Sequence, residues 1–339
     1  MKNGILAFRL KESLAVAAFA AMLWGATERA DAESLDFRSN DSPSFAVFNN
    51  QLFMAFSGTD SNHRLNYAVS SDGLTYTGVS DQTNVAGSGP AIAAFNKKMY
   101  VAFPYQDNRE IAIASSDDGL HYSGQHIINP LWKTPARVGL GSNDNKLFLV
   151  WLGMDGALYR ATTTDGTNWT ADERTLDQSI MGNDGKPYRS YVIWPPTLAS
   201  VTGSDDPGLV YTYSEHFFGT GPNWLQLRGN SGVANIICGL QSPVVGGSPV
   251  AAGIQAGVGF LDGKRYLAWR FGTTLGGAVS TIQVSVDGGG CRGGTTYPSD
   301  NGSYGQSHSA PAIVGFNGHV YLGFTGTDGD QHINVIQVL

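Results

Sequence analysis

One short pattern recurs along this chain and limits its possible folds: an apolar run opened by an aromatic or β-branched residue. Copies stand at 53–56, 100–103, 148–151, 210–213, 266–269 and 321–324, led by Phe53, Tyr100, Phe148, Val210, Tyr266 and Tyr321. Their starts are 47, 48, 62, 56 and 55 residues apart. Ten residues before three of them stand Pro43, Pro90 and Pro311, each opening a first run that ends in Phe48-Asn49, Phe95-Asn96 or Phe316-Asn317. Self-similarity at such a period marks a repeat architecture, because one unit cannot bury its apolar faces without its neighbours.

Each copy reads as short strands separated by turn residues such as Asp262-Gly263 and Asn317-Gly318. A third run ends in a further turn. Its copies are Ser70, Asp72, Gly73 and Tyr76; Ser115, Asp117, Gly119 and Tyr122; and Thr163, Asp165, Gly166 and Trp169. A degraded copy is Ser285, Asp287 and Gly288. In such a turn Asp accepts from backbone amides, Gly supplies positive φ, and the aromatic packs back on the strand. About four strands per unit of this length describes a propeller blade. The last copy stops at Leu339 after its third strand, and a lone run at 35–38 precedes the first copy. The expected fold is all-β: a six-bladed β-propeller of four-stranded blades, its ring closed by the mature N-terminal strand. A pair of β-sandwiches, or a five-bladed ring with copy four as an insertion, are the alternatives.

Composition agrees. Charged residues are only 14% while Gly has 44 copies, which suits turn-rich β structure better than long surface helices. A net charge of −7 lacks the basic footprint of a nucleic-acid binder. Lys2, Arg9 and Lys11 precede an apolar stretch at 13–26, and Ala30-Asp31-Ala32 offers a small-x-small cleavage site. Residues 1–32 therefore read as a signal peptide and 33–339 as one propeller domain in a secreted or periplasmic protein. An uncleaved anchor is the alternative, and no transmembrane segment is expected after cleavage. In an exported chain, Cys238 and Cys291 read as one disulfide, against two separate buried thiols.

The third-run turn resembles the Asp-box of the sialidase-like propeller superfamily, written (Ser/Thr)-x-Asp-x-Gly-x-x-aromatic. That superfamily includes exo-sialidases, other glycosidases and non-catalytic glycan-binding propellers. The resemblance implies an Asp-box that serves architecture rather than catalysis.

Strand order places the third-run turns at one end of the blades. The long connections at 172–194, 214–223, 239–255 and 292–309 fall nearly all at the other. Elaborated loops over a central channel are where a propeller holds ligands. Candidate ligand-binding residues on that face are Arg137, Arg270, Arg189, Arg38, Arg64, Arg109, Trp132, Trp194 and His308. The aromatics offer faces for sugar stacking. Arg137 stands two after Pro135, at the position aligned with Phe45, Ile92, Leu198, Val258 and Ile313, where a buried cation demands an anion or water.

Two functions compete. One is a lectin-like module binding a glycan or a small anionic sugar. The other is the exo-glycosidase that the resemblance implies: an Arg clamp of Arg137, Arg270 and either Arg38 or Arg189, a Tyr213/Glu215 nucleophile pair, and Asp60 or Asp107 as acid. Only four Glu follow residue 32, which ranks binding first. A protein-partner scaffold is a third class. No cofactor and no metal are expected: Asp328, Asp330, Asn183 and Asp184 sit in turn-like spacings that fit no EF-hand loop.

Overall fold

The computed structural model describes residues 33–172, 179–181, 187–189, 191–192, 195–201, 208–214, 223–228, 234–238, 244–245, 248–249, 255–271, 281–286, 295–297, 307, 309–327 and 329–338. None of these is helical. The signal-peptide expectation falls on residues 1–32, outside the described residues. The chain from Ala32 to Leu339 forms one unit.

Strand β1 (Glu33–Arg38) comes first, then the four-stranded meander β2 (Ser44–Phe48), β3 (Gln51–Ser57), β4 (Arg64–Ser70) and β5 (Thr77–Val85). A second meander holds β6 (Ala91–Phe95), β7 (Lys98–Pro104), β8 (Ile111–Ser116) and β9 (Ser123–Ile127). A third holds β10 (Gly139–Ser142), β11 (Leu147–Leu152), β12 (Leu158–Thr163) and β13 (Thr170–Asp172). Next come the pair β14 (Ser179–Met181) and β15 (Pro187–Arg189), and a sheet ordered β16 (Tyr191–Val192), β18 (Gly208–Ser214), β19 (Asn223–Arg228) and β20 (Ala234–Cys238). In that sheet β17 (Thr197–Ala199) also pairs with β18. After the pair β21 (Val244–Val245) and β22 (Ser248–Pro249) follows a meander of β23 (Gln255–Leu261), β24 (Lys264–Phe271), β25 (Thr281–Val286) and β26 (Thr295–Tyr297). The last sheet holds β27 (Ala312–Phe316), β28 (His319–Thr325) and β29 (His332–Gln337), with β1 antiparallel beside β29.

These sheets are antiparallel blades in a propeller arrangement. The first strands touch one another in chain order, β2 against β6, β6 against β10, β10 against β17, β17 against β23 and β23 against β27, and β27 also touches β2. The core lies between blades rather than inside them. On β3, Phe53 and Ala55 pack with Val101 and Phe103 of the next blade, while Leu52, Met54 and Phe56 pack with Phe316, Tyr321 and Val335 of the last one. Alternation at period two thus buries both faces, and β11 has no exposed residue. Where β23 meets β27 the approach is so close that a Cβ on Gly257 would stand 2.3 Å from the Pro311 carbonyl oxygen.

The repeated turn is tied together by one side-chain pair. Ser70 Oγ donates to Asp72 Oδ1 at 2.9 Å, and that oxygen accepts from the Leu74 and Thr75 amides at 2.8 and 2.7 Å. The Thr163/Asp165 turn repeats it, with amides from Thr167 and Asn168. In the second blade the pair is Ser116 and Asp118, not Ser115 and Asp117 as the sequence pattern suggested. Asp117 instead faces Lys98 at 3.0 Å. The spacing that folds alike in all three is Ser/Thr-x-Asp-Gly. Those amides hold Asp72 well below the ordinary carboxylate range, at about 2. Burial pushes Asp118 up, but its bonds to His121, Leu120 and Ser116 outweigh that and lower it.

Each turn also locks onto its neighbour. Gly73, Gly119 and Gly166 have φ of 88°, 80° and 81°. A Cβ on them would fall within 2.4 Å of the ring or hydroxyl of Tyr321, Phe53 and Tyr100 respectively, each the leading aromatic of the preceding blade. Tyr321 also donates its hydroxyl to the Asp72 carbonyl at 2.6 Å. The repeat's turn and its aromatic are therefore two halves of one contact between blades.

Candidate functional site: the loop face

At the opposite end, loops between second and third strands meet the connections that lead into the next blade. One backbone scheme recurs there. The His63 carbonyl accepts from the Ala86 amide, the Arg109 carbonyl from Thr134, and the Gln331 carbonyl from Ser39, at 3.2, 3.1 and 3.1 Å. His63, Arg109 and Gln331 all lie in the left-handed region, with φ of 50°, 62° and 55°. Non-glycine residues rarely sit there, so a polar side chain is held at the same rim position in three blades. The connections repeat as well: Ser39, Thr134 and Ser307 each donate a hydroxyl to the carbonyl two residues on, and that residue's amide returns to the hydroxyl.

Between the second and third blades this rim carries an aromatic ladder. Trp132, half-buried, stacks on buried Trp151 with centroids 4.8 Å apart, and Trp151 stacks on Tyr159 at 5.4 Å. The Tyr159 hydroxyl donates to Asp155 at 3.0 Å. Beside Trp132, Lys133 Nζ lies 3.7 Å from Glu110 Oε1, and Asn108 Nδ2 donates to the other Glu110 oxygen at 2.8 Å. Leu131 is 86% exposed next to Trp132, and Met154 is 56% exposed next to Asp155. An aromatic face, a carboxylate, a cation and an amide thus share one edge. Those groups can stack on a sugar ring and hydrogen-bond its hydroxyls.

The other sequence candidates separate. Arg38 is exposed and sits 3.7 Å from exposed Asp330. Asp60 spends its carboxylate inside its own loop, accepting from the Asn62 and Arg64 amides at 2.9 and 3.4 Å. Asp107 and Arg109 are exposed and Arg64 is half-buried. The side chains of Tyr213, Arg189, Arg270 and Cys238 lie outside the described residues, though their strands are placed. Glu215, Trp194, His308 and Cys291 lie wholly outside them. The Arg clamp, the nucleophile pair and the disulfide are therefore not observed. Among the described residues, no cluster of three or more His, Cys, Asp or Glu forms a metal site.

Arg137 is displaced from the position that the sequence alignment gave it. Register pairs Phe45 with Met54, Ile92 with Val101 and Ile313 with Leu322, and in the third blade it pairs Leu140 with Leu149. Leu140, not Arg137, lies in the innermost strand. Arg137 precedes it by three residues and matches Ser42, Gly89 and Ala310. The error came from anchoring on Pro135: here Val138 occupies the position of Pro43, Pro90 and Pro311. Burial was foreseen, since Arg137 is 7% exposed, and its Nε and Nη1 have no hydrogen-bond partner. Burial lowers its pKa, opposed by the charge of Asp41.

No family model and no curated protein matches the sequence. Solved structures do match. AofleA from Arthrobotrys oligospora is 12% identical, with a TM-score of 0.54 over 88% of this chain and 84% of that one. The SapL1 lectin, solved with alpha methyl fucoside, is 13% identical, with a TM-score of 0.55 over 89% of this chain and 94% of that one. The Hadza microbial sialidase Hz136 is 14% identical, with a TM-score of 0.54 over 88% of this chain and 65% of that one. This is a β-propeller. At such identities the likeness shows the fold alone, and a lectin and a sialidase share it.

Proposed function

We propose that this chain is an exported, lectin-like β-propeller of six blades, its ring closed by β1, that binds carbohydrate on its loop face. The observation that carries the reading is the ladder of Trp132, Trp151 and Tyr159, opening beside Glu110, Lys133 and Asn108. The ladder's stacking fixes the indole before any ligand arrives, which reduces the ordering cost of binding. Structural likeness to a fucoside-binding lectin supports the class but not the sugar. Secretion, the signal peptide, the Asp-box kinship and the Cys238–Cys291 bridge belong to the same proposal. Absence of titratable thiol under denaturing, non-reducing conditions supports the bridge, and two thiols overturn it.

The test is a glycan array read with the wild type and Trp132→Ala. Saturable binding lost in the variant supports the reading. Binding that survives unchanged moves the site elsewhere, and no binding to any glycan favours a protein-partner scaffold.

A sialidase-type exo-glycosidase is the second reading, favoured by Arg137, whose Nε and Nη1 are buried without a hydrogen-bond partner. In it Arg137, Arg270 and either Arg38 or Arg189 hold a carboxylate, Tyr213 and Glu215 form the nucleophile pair, and Asp60 or Asp107 is the acid. Fluorophore release from an aryl sialoside, abolished in Tyr213→Phe and Glu215→Gln, would establish it; an inert wild type would remove it.

A further inference from the structure

The backbone scheme that positions Trp132 recurs at a second junction with its chemistry kept in kind. The Arg109 carbonyl accepts from Thr134 and the Gln331 carbonyl from Ser39, so Thr134 and Ser39 hold matching positions. One residue earlier, Lys133 bridges to Glu110, and Arg38 pairs with His332. One residue earlier again stand Trp132 and Phe37. Phe37 lies on β1, beside the last blade, and packs on Phe56 of the first blade with ring centroids 5.4 Å apart. Phe56 is the fourth residue of its recurring run, as Trp151 is of its own.

Charges recur with the ring. Arg38 Nη1 lies 3.7 Å from Asp330 Oδ1, as Lys133 Nζ lies 3.7 Å from Glu110 Oε1. Half-buried Phe37 thus shares a rim edge with a cation and a carboxylate, whose side chains are 51% and 61% exposed. Its ring is held in place, since a Cβ on Gly78 would stand 2.7 Å from it. The fold does not demand this set. At the junction of the first and second blades the matching bond runs from the Ala86 amide to the His63 carbonyl, and Asn84 stands where the aromatic would be. A ring with flanking charges at two junctions, missing from a third with the same backbone, is a feature of the rim surface rather than of blade packing.

We propose that Phe37, Arg38 and Asp330 form a second carbohydrate site, taking a pyranose by its apolar face on the Phe37 ring and by its hydroxyls on the guanidinium and carboxylate. This rests on the carbohydrate reading of the Trp132 rim, and it makes the chain at least bivalent. The second site is the weaker one. A phenyl ring offers less face than an indole, and Asn66 pairs with Phe56 where Tyr159 pairs with Trp151, so the third rung is missing. Arg38 and Asp330 are also more exposed than Lys133 and Glu110, so water competes harder for them. Two sites on one unit gain an avidity on a densely glycosylated surface that neither has alone.

The test is surface plasmon resonance of the full chain over immobilised gastric mucin, with thermal unfolding as the check that each variant folds. The wild type is expected to bind, and Trp132→Ala to keep a saturable residue of binding weaker by about tenfold or more. Adding Phe37→Leu or Arg38→Ala to Trp132→Ala should remove that residue. Trp132→Ala with no residual binding overturns the second site and leaves the ladder reading standing. Residual binding that neither Phe37→Leu nor Arg38→Ala reduces overturns it as well. Binding unchanged in Trp132→Ala but lost in Phe37→Leu supports the second site and overturns the ladder. A wild type that does not bind mucin overturns both. Should Phe37→Leu fail to fold, Arg38→Ala, at an exposed position, decides alone.

Discussion

The two ends of the same blades are built by opposite rules. At the turn end the side chains repeat: Ser or Thr with Asp and Gly, then an aromatic, docked on the preceding blade's leading aromatic. At the loop end the backbone repeats while the side chains change. One carbonyl-to-amide bond recurs, but the residue supplying it is His63, Arg109 or Gln331. A repeat that keeps its side chains holds neighbouring blades together. One that keeps only its backbone presents different chemistry from a fixed frame, and recognition needs that arrangement.

The comparison breaks if turn-end changes spare stability or loop-end changes cost it. The largest effect is expected from Gly73→Ala. It puts a Cβ at φ 88° against the Tyr321 ring, and urea unfolding should record a loss of roughly 2–5 kcal/mol. Next, Trp132→Ala should weaken glycan binding at least about tenfold, with calorimetric titration as the readout. Asp72→Asn removes a charged acceptor of two amides and should cost about 1 kcal/mol by the same unfolding assay.

That contribution has a pH signature. Backbone amides hold the folded Asp72 carboxyl at about 2, below the 3.8 of an ordinary aspartate, so its stabilisation is whole above the higher value. It is lost as pH falls from about 4 through 2, and the gap between wild type and Asp72→Asn should close over that window. The smallest effect is expected from Arg38→Ala, whose partner Asp330 is as exposed as itself; a change within about 0.5 kcal/mol sharpens the contrast with Gly73.

The turn end was legible in the sequence because its physics is local. Asp-Gly pairs and their aromatics announce the turn, although where Ser115, Ser116, Asp117 and Asp118 stand in a row only the hydrogen bonds show which pair acts. The loop end was legible only as a location. Positive φ at His63 or Gln331 leaves no mark in composition, and the ladder joins Trp132 to Trp151 across two blades. Glu110 and Lys133 meet only because a β-bridge brings them together. Arg137 was correctly singled out as buried and misplaced by three residues, since Pro135 imitates the proline that opens the other copies.

The most direct test of the account compares one variant from each end on the same glycan: calorimetric titration of Trp132→Ala and Asp72→Asn beside the wild type. The account predicts that Trp132→Ala, still folded, loses binding, while Asp72→Asn, less stable, binds like the wild type. Loss of binding in Asp72→Asn with Trp132→Ala unaffected would place recognition at the turn end and contradict it.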